Sequence, residues 1–105
     1  MEIVRKGLEI SVQSAELVRF LLADGQNFPL RERLLDRGAA VGLCCRKMVD
    51  GNDPKIRREA MDALEEVDYI VEMAIHAGYL TPMQGNALRD DCGELLSALK
   101  KQGGA

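Results

Sequence analysis

Gly78-Tyr79-Leu80-Thr81-Pro82-Met83-Gln84 holds a helix stop and a helix start within one short stretch. Glycine is favoured just past a helix end because it enters the left-handed conformation without a Cβ clash. Proline suits the first turn of the following helix, where its missing N–H would have had no partner. Thr81 and Gln84 complete the signal as T-x-x-Q, a capping box in which each side chain serves the other's backbone N–H. Two more stretches place a glycine before a proline, Gly25-Gln26-Asn27-Phe28-Pro29 and Gly51-Asn52-Asp53-Pro54. These breaks divide the chain into four long segments of apolar periodicity. Loops this short force consecutive helices to run antiparallel, which predicts an all-α, up-down-up-down four-helix bundle. The breaks are expected within about three residues of Gln26, Asn52 and Leu80.

A chain of 105 residues suits one domain with a single core. Residues 1–102 are expected to form the bundle and Gly103-Gly104-Ala105 a frayed tail. Hydrophobic residues make up 47% of the chain, yet aromatic ones only 4%, with no Trp. The core must therefore be built from Leu, Val, Ile, Ala and Met. No apolar run approaches the roughly 18 residues needed to cross a membrane. Met1-Glu2-Ile3-Val4-Arg5-Lys6 lacks the apolar stretch and cleavage site of a signal peptide. Cys44 and Cys45 are neighbours on an expected helix, where their side chains diverge by about 100°, and Cys92 is remote from both. No disulfide framework fits, which points to a reducing compartment and hence to the cytoplasm.

The net charge of −3 conceals a segregation of charge along the chain. Residues 31–58 carry eight basic residues (Arg31, Arg33, Arg37, Arg46, Lys47, Lys55, Arg57, Arg58) against four acids, leaving +4. Residues 59–94 carry nine acids against Arg89 alone, leaving −8. Solvated helix faces account for such a pattern; so does an interface at which basic and acidic surfaces of different subunits or partners meet.

Helix 1 is expected over residues 2–23. Leu8, Val12, Ala15 and Leu22 form one stripe, while Ile10, Leu17 and Leu21 form a second, widened by Val4, Val18 and Phe20. A helix facing only a bundle core needs a stripe a little over 100° wide. The excess here calls for a cover, and another subunit is the simplest; Ile10, Leu17 and Leu21 are the candidate oligomer-interface residues. Helix 2 is expected over residues 30–50, with Leu30, Leu34, Val41, Cys45 and Met48 along its seam. Gly38 and Gly42, four apart, mark a place where another backbone comes close. Helix 3, over residues 54–77 and capped by Asp53, buries Ala60, Ala63, Leu64, Val67, Ile70, Val71, Ala74 and Ile75. Helix 4, over residues 82–101, buries Met83, Leu88, Cys92, Leu95 and Leu99, and ends on Lys100 and Lys101, where the helix dipole favours cations.

Motifs that carry chemistry are sparse. His76 is the lone histidine, with Glu72 one turn before it. A di-iron bundle needs Glu-x-x-His from each of two helices and two further glutamates, so a metal-binding or catalytic bundle centred on His76 is the alternative reading and not the leading one. The cysteine spacings match neither Cys-x-x-Cys nor a zinc site. Adjacent acids such as Glu65 with Glu66, and Asp90 with Asp91, diverge around a helix. There is no glycine-rich phosphate loop. No enzyme activity and no cofactor are expected.

Several local patterns together resemble the four-helix bundle protein family that includes proteins encoded in intervening sequences of large-subunit ribosomal RNA genes. The accessory protein of diversity-generating retroelements is a related branch. The likeness lies in Phe28-Pro29-Leu30-Arg31-Glu32, in the Asp50-Gly51 exit, in Ala60-Met61-Asp62-Ala63-Leu64-Glu65-Glu66-Val67-Asp68-Tyr69, and in Ala74-Ile75-His76-Ala77-Gly78-Tyr79-Leu80. It covers roughly residues 17–99. It implies a homopentameric ring and, for the retroelement branch, a scaffold that binds reverse transcriptase and nucleic acid. Two departures matter. Arg46-Lys47-Met48-Val49-Asp50-Gly51 stands where the family reads like Ala-Asn-Ile-Ala-Glu-Gly. The retroelement protein is also strongly basic, whereas this chain has a pI near 5.1. Any contact with RNA or DNA is therefore confined to the basic segment, with Arg46, Lys47, Lys55, Arg57 and Arg58 as candidates. A protein partner or a neighbouring subunit is the alternative occupant of that patch.

Overall fold

The computed structural model describes residues 2–25, 27–48 and 53–103. Four helices run in the order α1 (Ile3–Ala23), α2 (Arg31–Lys47), α3 (Pro54–His76) and α4 (Pro82–Gly103). Each packs on its neighbour in the chain, and α4 returns to α1, closing an up-down-up-down bundle of 43 × 19 × 18 Å. α2 starts at Arg31, one residue after its expected start, and is followed through Met48; its expected end at residue 50 lies outside the described residues. Val49, Asp50, Gly51 and Asn52 lie outside the described residues, as do Gly104 and Ala105. α4 continues through Gly103, one residue into the expected tail.

The caps follow their sequence signals. Thr81 donates its N–H to Gln84 Oε1 at 2.8 Å and its Oγ1 accepts from Gln84 N at 3.3 Å, the reciprocal capping box. Gly78, at φ 87°, ends α3: the N–H of Tyr79 reaches Ala74 O at 2.8 Å and that of Gly78 reaches Ile75 O at 3.1 Å, a Schellman motif. The Asp53 carboxylate caps α3 by accepting from Lys55 N at 2.9 Å.

Aliphatic side chains build the core, as the composition requires: Leu34 and Val41 from α2, Leu64, Val67 and Val71 from α3, and Leu88, Leu95 and Leu99 from α4. Phe28 and Tyr79 plug the end where the α1–α2 and α3–α4 connections meet, their rings 4.9 Å apart and tilted by 46°. The α1–α2 seam is different. Gly7, Ser11 and Ser14 of α1 face Gly38, Gly42 and Cys45 of α2. Ser11 Oγ bridges the helices by donating to Gly38 O at 2.6 Å, and Ser14 Oγ turns back onto Ile10 O at 2.8 Å. The spacing of Gly38 and Gly42 thus reflects close packing inside the bundle.

Two expectations about facing are corrected. Ile10 and Leu21 are completely buried within the single chain and Leu17 is half-buried against the same core. Ile10 and Leu21 cannot reach another subunit, because the small residues Gly7 and Ser14 share their face and draw that face against α2. The exposed stripe is the other one: Leu8, Val12 and Leu22. Met83, expected inside, is 91% exposed. It stands in the first turn of α4, while Gly85 takes the inward position, its Cα side against Val71 and Ile75.

Candidate functional site

Two surfaces stand out, one basic and one apolar. The basic one is an end of the bundle. Antiparallel topology brings the last turn of α2, the first turn of α3 and the last turn of α4 to the same end. Arg46 and Lys47 are exposed on α2; Lys55 and Arg58 are exposed on α3, where Arg57 is half-buried. An open hollow of about 610 Å³ is lined by Pro54, Lys55, Arg57, Arg58, Met61 and Lys100, with Asp62 and Glu65 at its acidic edge. Lys100 was read from the sequence only as a dipole partner. Its place beside Lys55 and Arg58 follows from the topology, since α4 must end where α3 begins. The Asp53 cap sets one carboxylate among these cations. Asp50 lies outside the described residues.

The apolar surface is the outer face of α1 and α2. Leu8 and Val12 on α1, and Leu35 and Leu43 on α2, are each exposed to between two-fifths and three-fifths of their surface, and Ala39 lies between the latter two. Val4, Leu8, Ser11, Ala39, Gly42 and Leu43 line an open groove there, with Arg5 and Arg46 at its rim. Leucines project from this groove because the serine–glycine seam fills the space between the two helices with the smallest side chains available.

The remaining polar groups hold helices together. Lys6 Nζ donates to Asp91 Oδ1 at 2.9 Å and Gln13 Nε2 donates to Asp91 Oδ2 at 2.7 Å, tying α1 to α4. The Lys6 hydrogen bond, followed by that of Gln13, holds the Asp91 carboxyl below its ordinary range. Arg89 of α4 reaches Asp68 at 2.8 Å and Glu72 at 3.7 Å on α3. Arg33 of α2 pairs with Glu66 of α3.

His76 is exposed in the last turn of α3, and the Glu72 beside it is turned toward Arg89. Among the described residues no three His, Cys, Asp or Glu side chains converge on a point that could hold a metal ion. Burial pushes the Cys45 thiol up to about 11 and the Cys92 thiol to about 12, so both stay protonated and unreactive at neutral pH. Cys44 is half-buried, and its thiol is also raised by burial. No helix is long and apolar enough to cross a membrane among the described residues.

The sequence matches no family model and no curated protein. Among solved structures, the chain is similar to the crystal structure of a protein of unknown function from the S23 ribosomal protein family of Bacteroides thetaiotaomicron. The TM-score is 0.86 at 22% identity, over 94% of this chain and 95% of that one. The whole bundle, and not one hairpin of it, is therefore shared with that protein.

Proposed function

We propose that the protein is a non-enzymatic helical scaffold that associates with copies of itself and holds a macromolecular partner at its basic end. The observation that carries this reading is the outer face of α1 and α2. Four large aliphatic side chains lie on one side of a bundle whose own core is already complete, and contiguous exposed apolar surface of this kind marks association sites. The family resemblance supports a closed homo-oligomer, with a pentamer as its stoichiometry, and an RNA or a reverse transcriptase as the partner. Lys47, Lys55, Arg57 and Arg58, joined by Lys100, supply positive charge at one end. The −8 of residues 59–94 keeps a phosphate backbone away from the flank of α3 and α4. A small metal-binding or catalytic bundle centred on His76 is disfavoured, because Glu72 is engaged with Arg89.

Light scattering at micromolar concentration tests the assembly, and a monomer there overturns it. A low-salt anisotropy titration with RNA and with duplex DNA tests the basic end. Binding that falls steeply with salt and is lost in Lys47→Glu and Arg57→Glu supports a nucleic-acid partner. Absence of binding at tens of micromolar removes nucleic acid and leaves a protein partner for that end.

A further inference from the structure

Four glycines inside the helices are set by packing. An added Cβ would come within 3.0 Å of a neighbouring atom at Gly7, Gly38, Gly42 and Gly85. Gly93, in the middle of α4, is different: a Cβ there would meet nothing within 4 Å. Glycine weakens a helix interior relative to alanine, and nothing inside the chain requires it at this position. It leaves a notch in an open groove of about 630 Å³ between α3 and α4, on the side of the bundle opposite the α1–α2 face. Leu64 and Cys92, both buried, and the half-buried Leu96 give the groove an apolar floor. Tyr69 stands beside it with 62% of its surface exposed. Glu65, Asp68 and Asp90 line its edge against one cation, Arg89, a surplus of two negative charges. Arg89 is turned to Asp68 at 2.8 Å and acts on Asp90 only through its field, and Glu65 and Asp90 are both exposed.

We propose that this groove is the docking site for a basic segment of another polypeptide, which seats a lysine or arginine side chain over Gly93. The aliphatic stem of that side chain covers Leu64 and Leu96, and the missing Cβ lets it lie against the α4 backbone. Its charged head comes to the Tyr69 ring and to the Glu65 and Asp90 carboxylates, adding a cation–π contact to the ion pairs. Glu65 and Tyr69 are four apart on α3, and Asp90 and Gly93 three apart on α4, so each pair shares a helix face. The sign of the groove turns away a phosphate backbone and selects a cationic partner. The site adds a second partner surface to the scaffold reading and depends neither on the basic end nor on the number of subunits.

The test is fluorescence anisotropy of the full chain with a labelled amphipathic peptide of lysines and leucines at low salt, beside the same peptide with glutamate for lysine. Binding of the lysine peptide alone is expected. Gly93→Leu fills the notch and should weaken binding by roughly tenfold or more, and Tyr69→Ala by roughly threefold. Glu65→Gln with Asp90→Asn should weaken it more than the charge-matched pair Glu59→Gln with Glu94→Gln, whose side chains lie outside the groove. Urea unfolding should find Gly93→Leu at least as stable as the wild type, so that lost binding is not lost fold. Lys47→Glu with Arg57→Glu, which tests the basic end, should not weaken the peptide, so the two surfaces stand or fall separately. Absence of binding at millimolar peptide, equal losses from the two acid pairs, or an affinity indifferent to Gly93→Leu overturns the docking site. So does a change on Gly93→Leu in the mass of the protein alone by light scattering, which gives the groove to a neighbouring subunit.

Discussion

Ser14 and Gly38 meet with no room for another atom, which makes them more decisive for the α1–α2 packing than any leucine. A Cβ at Gly38 would lie 2.5 Å from Ser14 Cβ, which the backbone fixes in place. Gly38→Ala should therefore lower stability by about 1–3 kcal/mol in urea unfolding, even though alanine is the better helix former. Gly93 is the internal control, since it lies in α4 with nothing within 4 Å of an added Cβ. Gly93→Ala should raise stability by roughly 0.5–1 kcal/mol in the same assay. The thiols give a second residue-level measurement. Titration with a thiol reagent should count one reactive cysteine in the folded chain, Cys44, and three after unfolding. On α2 the seam was legible, because Gly38 and Gly42 stand out in a helical segment. On α1 it was not: Gly7, Ser11 and Ser14 are neither apolar nor chemically distinctive, and a reading based on apolar spacing passes over them. That omission placed Ile10 and Leu21 on the wrong side of the helix.

Helix existence and direction were legible at the junctions, where Gly25, Gly78, Asp53 and the pair Thr81 with Gln84 act through local backbone chemistry. The facing of each helix depends on what its neighbours present, which local signals do not encode; Met83 is the clearest instance. The two stripes of α1 give a direct check. Leu21→Glu should unfold the bundle, because a carboxylate would enter a fully enclosed site. Leu8→Glu should keep full helicity and shift any assembly toward monomer, as seen by circular dichroism and light scattering together. The α1–α4 seam adds a pH dependence. Asp91 is held below its ordinary value of 3.8 by Lys6 and Gln13, so its stabilisation is complete above that value and is lost as pH falls through the lower folded one. Asp91→Asn should flatten the acid limb of the stability profile below the ordinary Asp91 value of 3.8 while leaving the neutral range nearly parallel.

Across the whole molecule, charge is sorted by position more than by amount. The acids of residues 59–94 occupy α3 and α4, whereas Arg46, Lys47, Lys55, Arg57 and Arg58 gather at the end where α2 finishes and α3 begins. The segregation was plain in the sequence. That Lys100 joins the cations was not, since it requires knowing which helix ends lie side by side. The same closed arrangement bears on how the chain reaches its fold. α1–α2, α2–α3 and α3–α4 are contacts between consecutive helices, so little loop entropy opposes their formation. The seam between α1 and α4 is the exception: its hydrogen bonds from Lys6 and Gln13 to Asp91 span 85 and 78 residues. Three hairpin-like steps can therefore assemble at the speed of local structure, with this polar clasp fastening last. A substitution such as Gln13→Ala should steepen the loss of native protein by speeding unfolding while leaving the refolding arm of a chevron plot almost unmoved. The clasp then acts as the kinetic lock of the bundle, setting how long the native state lasts and not how fast it forms.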